Sequence, residues 1–397
     1  MPLPPLILKK NAHRRLRTGH LWVFSNEVDI ARTPLTAFVP GDAVEIREHG
    51  GRFLGSGYVN PNSLICARIL SRDERHPPDR AWLVQRLNLA LALRTRLYPQ
   101  PFYRLVFGES DGLPGLVVDR YGEVLVAQIT TAGMERMKDD IVAALAEVLK
   151  PAGIMWRNDV SIRELEGLPL YVDTAYGTVP ERAIVEEHER KFEVALAGGQ
   201  KTGWFFDQHD NRGRLARYVS GRRVLDVFSY VGAWAIQALA WGAHEALCMD
   251  SSASALALAE HNAALNGVRV GVHKADAFDG LRALHAAGEK FDVVILDPPA
   301  FVKRKKDLAA GRDAYRRLNQ LGMQLLAHDG LLISCSCSHH LPADELLAAI
   351  QSAARHVNRE AQLLERGAQA ADHPVHPAIP ETAYLKAFFV RVLSEPR

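Results

Sequence analysis

From about Phe192 onward, strand-like and helix-like segments alternate, and that alternation constrains the fold more than any other feature of the chain. Arg223-Val224-Leu225-Asp226 reads as a strand, Ala233 to Trp241 as a helix and Glu245 to Asp250 as a strand. Ala253 to Asn266 reads as a helix and Val270 to Asp276 as a strand. A repeated βαβ order calls for a doubly wound, mostly parallel sheet with helices on both faces. Two further strands are apolar runs that end in reactive side chains. Val293-Val294-Ile295-Leu296 runs into Asp297-Pro298-Pro299, and Leu331-Leu332-Ile333 runs into Ser334-Cys335-Ser336-Cys337-Ser338. Ligands of such sheets sit beyond the carboxyl ends of the strands, so an acid and a thiol placed there can share one pocket. The segment Tyr384 to Val392 is a strand with no helix after it, and is expected to close an edge of the sheet in antiparallel fashion.

The preceding residues read differently. Short β runs at Leu21–Phe24, Ala43–Ile46, Phe53–Tyr58 and Leu64–Leu70, separated by Gly, Pro and Asn, suggest a small barrel. The polar stretch Ser71 to Asp79 reads as a linker. Helical periodicity at Ala81–Leu97 and Met134–Leu149 flanks two strands, Gly115–Asp119 and Val124–Ile129, around a Tyr121-Gly122 turn, which suggests an α+β domain. At 397 residues and 48% hydrophobic, the chain is too long for one ordinary core. The expected division is a barrel over 1–72, an α+β middle domain over 73–180 and the α/β domain over 181–397.

A net charge of +2 excludes a strongly basic protein but leaves room for local basic patches. Four cysteines, Cys66, Cys248, Cys335 and Cys337, do not form a disulfide framework, and a reducing cytoplasm is the expected compartment. His339-His340 after the thiol strand invites a Cys-His metal reading, but no second cluster supplies converging ligands. The amino terminus lacks the apolar core of a signal peptide, and no segment has the apolar length of a membrane span.

The strand ends also speak to a cofactor. After Asp226 the chain turns through Val227-Phe228-Ser229-Tyr230-Val231-Gly232. A dinucleotide loop needs small residues where Phe228 and Tyr230 stand, so a pyrophosphate is poorly served and S-adenosylmethionine fits better. Asp250, at the end of the next strand, can accept hydrogen bonds from ribose hydroxyls, and Asp276 can take an adenine amine.

On these residues the chain resembles the class I S-adenosylmethionine-dependent methyltransferases, and within them the three-domain family that methylates cytosine C5 in 23S ribosomal RNA. The carriers are His20 to Glu27, similar to the opening of a PUA RNA-binding domain, and Lys201 to Arg212 with its Asp207-Gln208 pair. Asp226 to Gly232, Asp297 to Phe301, Ser336-Cys337-Ser338, Ala371 to Val375 and Tyr384-Leu385-Lys386 complete the set. The resemblance implies a PUA-like barrel, a Rossmann-like methyltransferase domain and a cofactor pocket lined by Gln208, Asp226, Phe228, Gly232, Asp250, Asp276 and Asp297. It also implies Cys337 as a nucleophile that adds to C6 so that C5 can accept a methyl group, with Asp297 holding the N3 and N4 edge of the base. Strand alternation alone does not separate Cys335 from Cys337, because both point to one face. The chain departs from the family at His209, where Arg is usual, and at Ala300, where many RNA cytosine C5 enzymes carry a second cysteine.

The target base must leave its stack to reach such a pocket. Trp22, Lys303, Arg304, Lys305 and Arg212 are the candidate RNA contacts. Expected partners are 23S ribosomal RNA and no membrane, with a homodimer left open. Two other readings remain at this stage: an amino-group methyltransferase, whose Asp-Pro-Pro-aromatic loop is interrupted here by Ala300, and an RNA-binding ribosome-assembly factor.

Overall fold

The computed structural model describes residues 3–394. The chain forms two compact units. The first comprises Met1–Ala183, Ala195–Phe206 and Ala371–Thr382; the second comprises Ile184–Val194, Asp207–Ala370 and the chain from Ala383 onward.

The first unit holds two five-stranded sheets. One is built from β1 (Pro5–Ile7), β2 (Trp22–Phe24), β3 (Asp42–Arg47), β4 (Phe53–Val59) and β5 (Ile65–Ser71), in the order β1-β3-β4-β5-β2. The other contains β6 (Phe102–Phe107), β7 (Leu116–Tyr121), β8 (Val124–Ile129), β9 (Gly153–Asn158) and β10 (Tyr171–Gly177), in the order β10-β9-β8-β7-β6. Buried polar groups tie the two sheets. Tyr58 on β4 donates to the Pro114 carbonyl at 2.8 Å, and Asn60 donates to Glu166 at 2.7 Å. The helix Arg80–Leu97 starts where Asp79 accepts from the Trp82 N–H at 2.9 Å, satisfying a donor that the first turn leaves unpaired. The expected helix over 134–149 is instead two, Ala132–Arg136 and Lys138–Leu149. The break falls at Met137, whose N–H bonds the Met134 carbonyl, a tight link three residues back.

A two-stranded ribbon of β11 (Arg182–Glu187) and β12 (Arg190–Ala195) precedes the large sheet. That sheet consists of β13 (Arg223–Val227), β14 (Glu245–Asp250), β15 (Gly271–Lys274), β16 (Phe291–Leu296), β17 (Leu326–Ser336), β18 (Arg359–Gly367) and β19 (Lys386–Ser394). Its order is β15-β14-β13-β16-β17-β19-β18. The pairs from β15 through β17 are parallel; β19 runs antiparallel to both β17 and β18. The expected doubly wound sheet with an antiparallel strand is therefore present, although β19 sits inside the sheet and β18 takes the edge. Val224, Leu225, Val293, Val294, Leu332 and Ile333 are almost fully buried, as expected for parallel strands covered on both faces. At about 25 cal/mol per Å² of apolar surface, each such side chain contributes about 1.5–3 kcal/mol relative to exposure. The strand expected over 270–276 is only Gly271–Lys274, because Asp276 leaves the sheet to cap the next helix. No helix among the described residues is long and apolar enough to cross a membrane.

Candidate active site

The centre of the sheet presents its acids at the carboxyl ends of β13, β14 and β16. Asp226 is fully buried on β13. Its Oδ2 accepts from the Ala235 N–H at 3.2 Å, while Oδ1 has no hydrogen-bond partner. Burial pushes its carboxyl well above the usual range; Asp297 and Asp250 push the same way, against the Ala235 N–H and Arg212. The following loop is strained, with Phe228 and Tyr230 at φ of 64° and 49°, a region that bulky side chains rarely occupy. Gly232 at φ 81° closes the loop onto the helix Ala233–Ala240, and a Cβ there would lie 3.0 Å from the Ala259 Cβ. Asp250 holds the loop from the neighbouring strand, accepting from Tyr230 N–H at 3.0 Å and Ser252 N–H at 2.8 Å.

Asp226 Oδ1 is buried and lacks a hydrogen-bond partner. Orphaned buried acceptors cost about 1–3 kcal/mol each unless a ligand or water satisfies them. A cofactor with ribose hydroxyls, an amino group and no phosphates fits this set of acceptors, while Gly232 lets the loop pack against Ala259 and Ile236. Asp276 is committed differently from expectation: its Oδ1 caps the helix Ala277–Ala286 by accepting from Phe278 and Asp279 N–H groups, leaving Oδ2 outside those bonds.

Asp297 ends β16 in a fixed orientation. Gln208 Nε2 lies 3.0 Å from both of its oxygens, and the Trp234 indole N–H donates at 3.1 Å. Gln208 is itself held through Oε1, which accepts from Asn211 at 2.7 Å. Buried donors therefore aim the carboxylate.

The thiols now separate. Cys66, Cys248 and Cys335 are buried, while Cys337 is half-exposed. Cys335 sits within β17, opposite Ala387. Its thiol is pushed well up by burial and then by Asp297, although Gln208 works against the shift, so it stays protonated. β17 ends at Ser336, so Cys337 lies beyond the sheet between two tethered serines. Ser336 donates to the Tyr315 hydroxyl, which also bonds the Ser338 hydroxyl, both at 2.9 Å. The Ser338 hydroxyl accepts from the Val302 N–H at 3.1 Å. The Ser-Cys-Ser element is thereby pinned to the loop that follows Asp297.

Among the expected RNA contacts, Arg212 needs correction. It is 2% exposed and makes a two-pronged pair with Glu187 at 2.5 and 2.6 Å, so its guanidinium is unavailable to a phosphate. That buried pair fixes the helix His209–Arg214 and the adjoining Gln208. Next to it, burial opposes a charge on His209, but the Asp210 hydrogen bond and Glu187 prevail and raise its pKa. Lys303, Arg304 and Lys305 are exposed just after the Asp297 loop, with Arg304 bonded to Asp307. Trp22, in the other unit, is half-buried and donates its indole N–H to Glu109 at 2.8 Å. A cavity of about 1010 Å³ in that unit, lined in part by Arg72, Arg75, Arg86 and Glu109, contains none of the candidate site residues. Sequence reasoning assigned no role to Trp234, Asn211, Tyr315 or Lys386; for Lys386 the Tyr384-Leu385-Lys386 motif was the available signal.

Comparison with known proteins places this architecture. Residues 171–391 match the S-adenosylmethionine-dependent methyltransferase family, and residues 6–72 match the PUA-like domain. Ribosomal RNA large subunit methyltransferase I of Salmonella arizonae is 39% identical over 399 residues, covering 98% of both chains. The chain belongs to this methyltransferase family. The same-named protein of Erwinia tasmaniensis is also 39% identical, over 98% of this chain and 99% of that one. Among solved structures, SMU.776 complexed with SAH superposes with a TM-score of 0.84 at 21% identity, covering 98% of this chain and all of that one. A structure from Streptococcus mutans gives 0.82 at 20% identity. Family membership makes the chain an S-adenosylmethionine-dependent methyltransferase, whose cofactor the loop from Asp226 to Gly232 would hold.

Proposed function

We propose that this enzyme forms 5-methylcytosine in 23S ribosomal RNA through a covalent bond between Cys337 and C6 of the base. The observation that carries the reading is that Cys337 alone among the four thiols is half-exposed, and that its element is hydrogen-bonded to the Asp297 loop. Similarity over the whole chain to proteins named for the large ribosomal RNA supports the substrate class.

The chemistry follows from the groups present. Cytosine C5 is a weak nucleophile, so the Cys337 thiolate first adds to C6 and breaks the ring's aromaticity. Asp297, aimed by Gln208 and Trp234, holds the N3 and N4 edge and stabilises a proton on N3 as negative charge enters the ring. C5 thereby gains enamine character. Bound S-adenosylmethionine supplies an electrophilic methyl group. A solvent water takes the C5 proton as the 5,6 double bond re-forms, and the electrons of the C6–S bond return to Cys337. Gln208, Asp226, Phe228, Gly232 and Asp250 line the cofactor side, with Asp276 at its rim. The base enters unstacked, and exposed Lys303, Arg304 and Lys305 beside the loop meet the flanking phosphates; Trp22 offers a stacking face.

The test is Cys337→Ala assayed for methyl transfer to ribosomal RNA from cells lacking the gene. Turnover is expected to fall by about 10³-fold or more while cofactor affinity is retained. Turnover within about tenfold of the parent would exclude the covalent route and favour amino-group methylation.

A further inference from the structure

A cysteine nucleophile with an ordinary pKa of about 8.5 is mostly protonated at neutral pH, so something must hold the thiolate. The neighbours of Cys337 on its own strand and across the Tyr315 network are neutral hydroxyls or groups that disfavour negative charge. Cys335 is a buried thiol, Asp297 and Asp207 are acids on the Cys335 side, and Tyr315 is a phenol whose ionisation Cys337 opposes. His339 and His340 follow on the exposed turn. The strand packed against this end, β19, contributes a cation. Lys386 lies directly across from Ser336 in the antiparallel pair. Its side chain runs past the end of β17, and Nζ donates to the Ser338 carbonyl at 2.6 Å and the Tyr384 carbonyl at 2.8 Å. Cys337 is therefore bracketed by Ser336, which faces Lys386 in the ladder, and Ser338, which accepts from it.

We propose that Lys386 is the fixed counter-ion of Cys337, its ammonium held by the Ser338 and Tyr384 carbonyls so that it stabilises the thiolate that attacks the ring. An ammonium has three N–H donors, and two are spent on those carbonyls. The third is left for the sulfur. No carboxylate bonds the Lys386 head among the hydrogen bonds described, so the charge is anchored without being neutralised. Burial lowers the Lys386 pKa to about 8, while negative charge on Cys337 raises it, which makes the lysine a desolvated cation that depends on the thiolate as the thiolate depends on it. Ionisation moves the Cys337 proton to solvent, and no other bond changes. When the product leaves, the C6–S electrons return to a sulfur that already faces a positive charge. Lys386 acts through Cys337 and is a positioning residue.

The inference rests on Cys337 being the nucleophile, and its test reads the thiol itself. The full chain is alkylated with iodoacetamide across a pH series, with the Cys337 peptide quantified by mass spectrometry for the parent, Lys386→Met and Lys386→Arg. The parent thiol is expected to titrate below the ordinary cysteine value. Lys386→Met should raise its pKa by at least about one unit, a tenfold loss of thiolate at neutral pH. Lys386→Arg should keep most of the depression. Single-turnover methylation by Lys386→Met should shift to higher pH and recover toward the parent rate there, with cofactor affinity by calorimetry unchanged within about twofold. A Lys386→Met protein with an unshifted Cys337 pKa, or equal loss of rate at every pH, overturns the proposal. Should Lys386→Met not fold, a parent Cys337 pKa at or above about 8.5 overturns it alone. Retained turnover in Cys337→Ala would instead overturn the nucleophile, while leaving the measured thiol pKa to report on Lys386.

Discussion

Replacing Asp226 by Asn should stabilise the ligand-free protein while weakening cofactor binding. Asp226 is fully buried, one of its oxygens has no partner, and burial together with Asp297 and Asp250 raises its pKa well above the ordinary value. The amide can still accept from the Ala235 N–H that now bonds Oδ2. It carries no charge to desolvate. Each unit by which burial raises the Asp226 pKa costs the parent about 1.4 kcal/mol at neutral pH, a cost the neutral amide avoids, which is about 1–2 °C in Tm per kcal/mol for a chain of 397 residues. The sign of the pH dependence follows from the raised folded-state pKa. The native state retains the Asp226 proton where the unfolded chain, with a pKa of about 3.9, has lost it. The stability contributed by this proton is therefore fully present below about pH 4 and is lost as pH rises through the folded pKa. The Asn variant lacks that slope, so its advantage should grow with pH across this window and vanish at the acid end. Thermal unfolding of both proteins from acid to neutral pH, with and without S-adenosylmethionine, measures both effects. Saturation at 100 times the dissociation constant should stabilise the parent by about 2.7 kcal/mol, and the variant by less at the same concentration. A ligand-free variant less stable than the parent at neutral pH, or a stability difference independent of pH, would refute the claim that Asp226 is an energetic liability kept for a ligand.

Two further expectations come from the same unit. Arg212→Met leaves the Glu187 carboxylate buried without its cation and should cost about 3–5 kcal/mol in urea denaturation, with Arg212→Met/Glu187→Met recovering part of the loss. Gly232→Ala forces a side chain into a left-handed backbone and to within 3.0 Å of Ala259. It should cost about 1–2 kcal/mol of stability and about tenfold in cofactor affinity by calorimetry.

The legible parts of the site were those written in contiguous residues. Strands β13, β16 and β17 are buried on both faces, so they appear as apolar runs, and the acids that end the first two and the thiol that follows the third stand out at their ends. The choice between Cys335 and Cys337 was not legible from alternation, because it depends on where β17 stops. Ending at Ser336, the strand leaves one thiol in the sheet core and puts the other beyond it. Arg212 reads as an RNA contact because a basic residue carries no sign of its partner, and Glu187 is 25 positions away on another element. The role of Lys386 arises only when β19 pairs with β17, which brings its head to a carbonyl 48 positions back. Asp276 is expected to end a strand, but the strand stops at Lys274 and Asp276 caps the next helix instead.

The position of β19 between β17 and β18 has a consequence for biosynthesis. A ribosome releases β17 first and β18 next, yet the strand made after both must insert between them. Until it does, β17 has an open edge and the Ser338 carbonyl lacks its Lys386 partner. If Lys386 is the counter-ion proposed above, a chain that ends before β19 would carry the thiol without its cation, and full reactivity would arrive only with completion of the sheet.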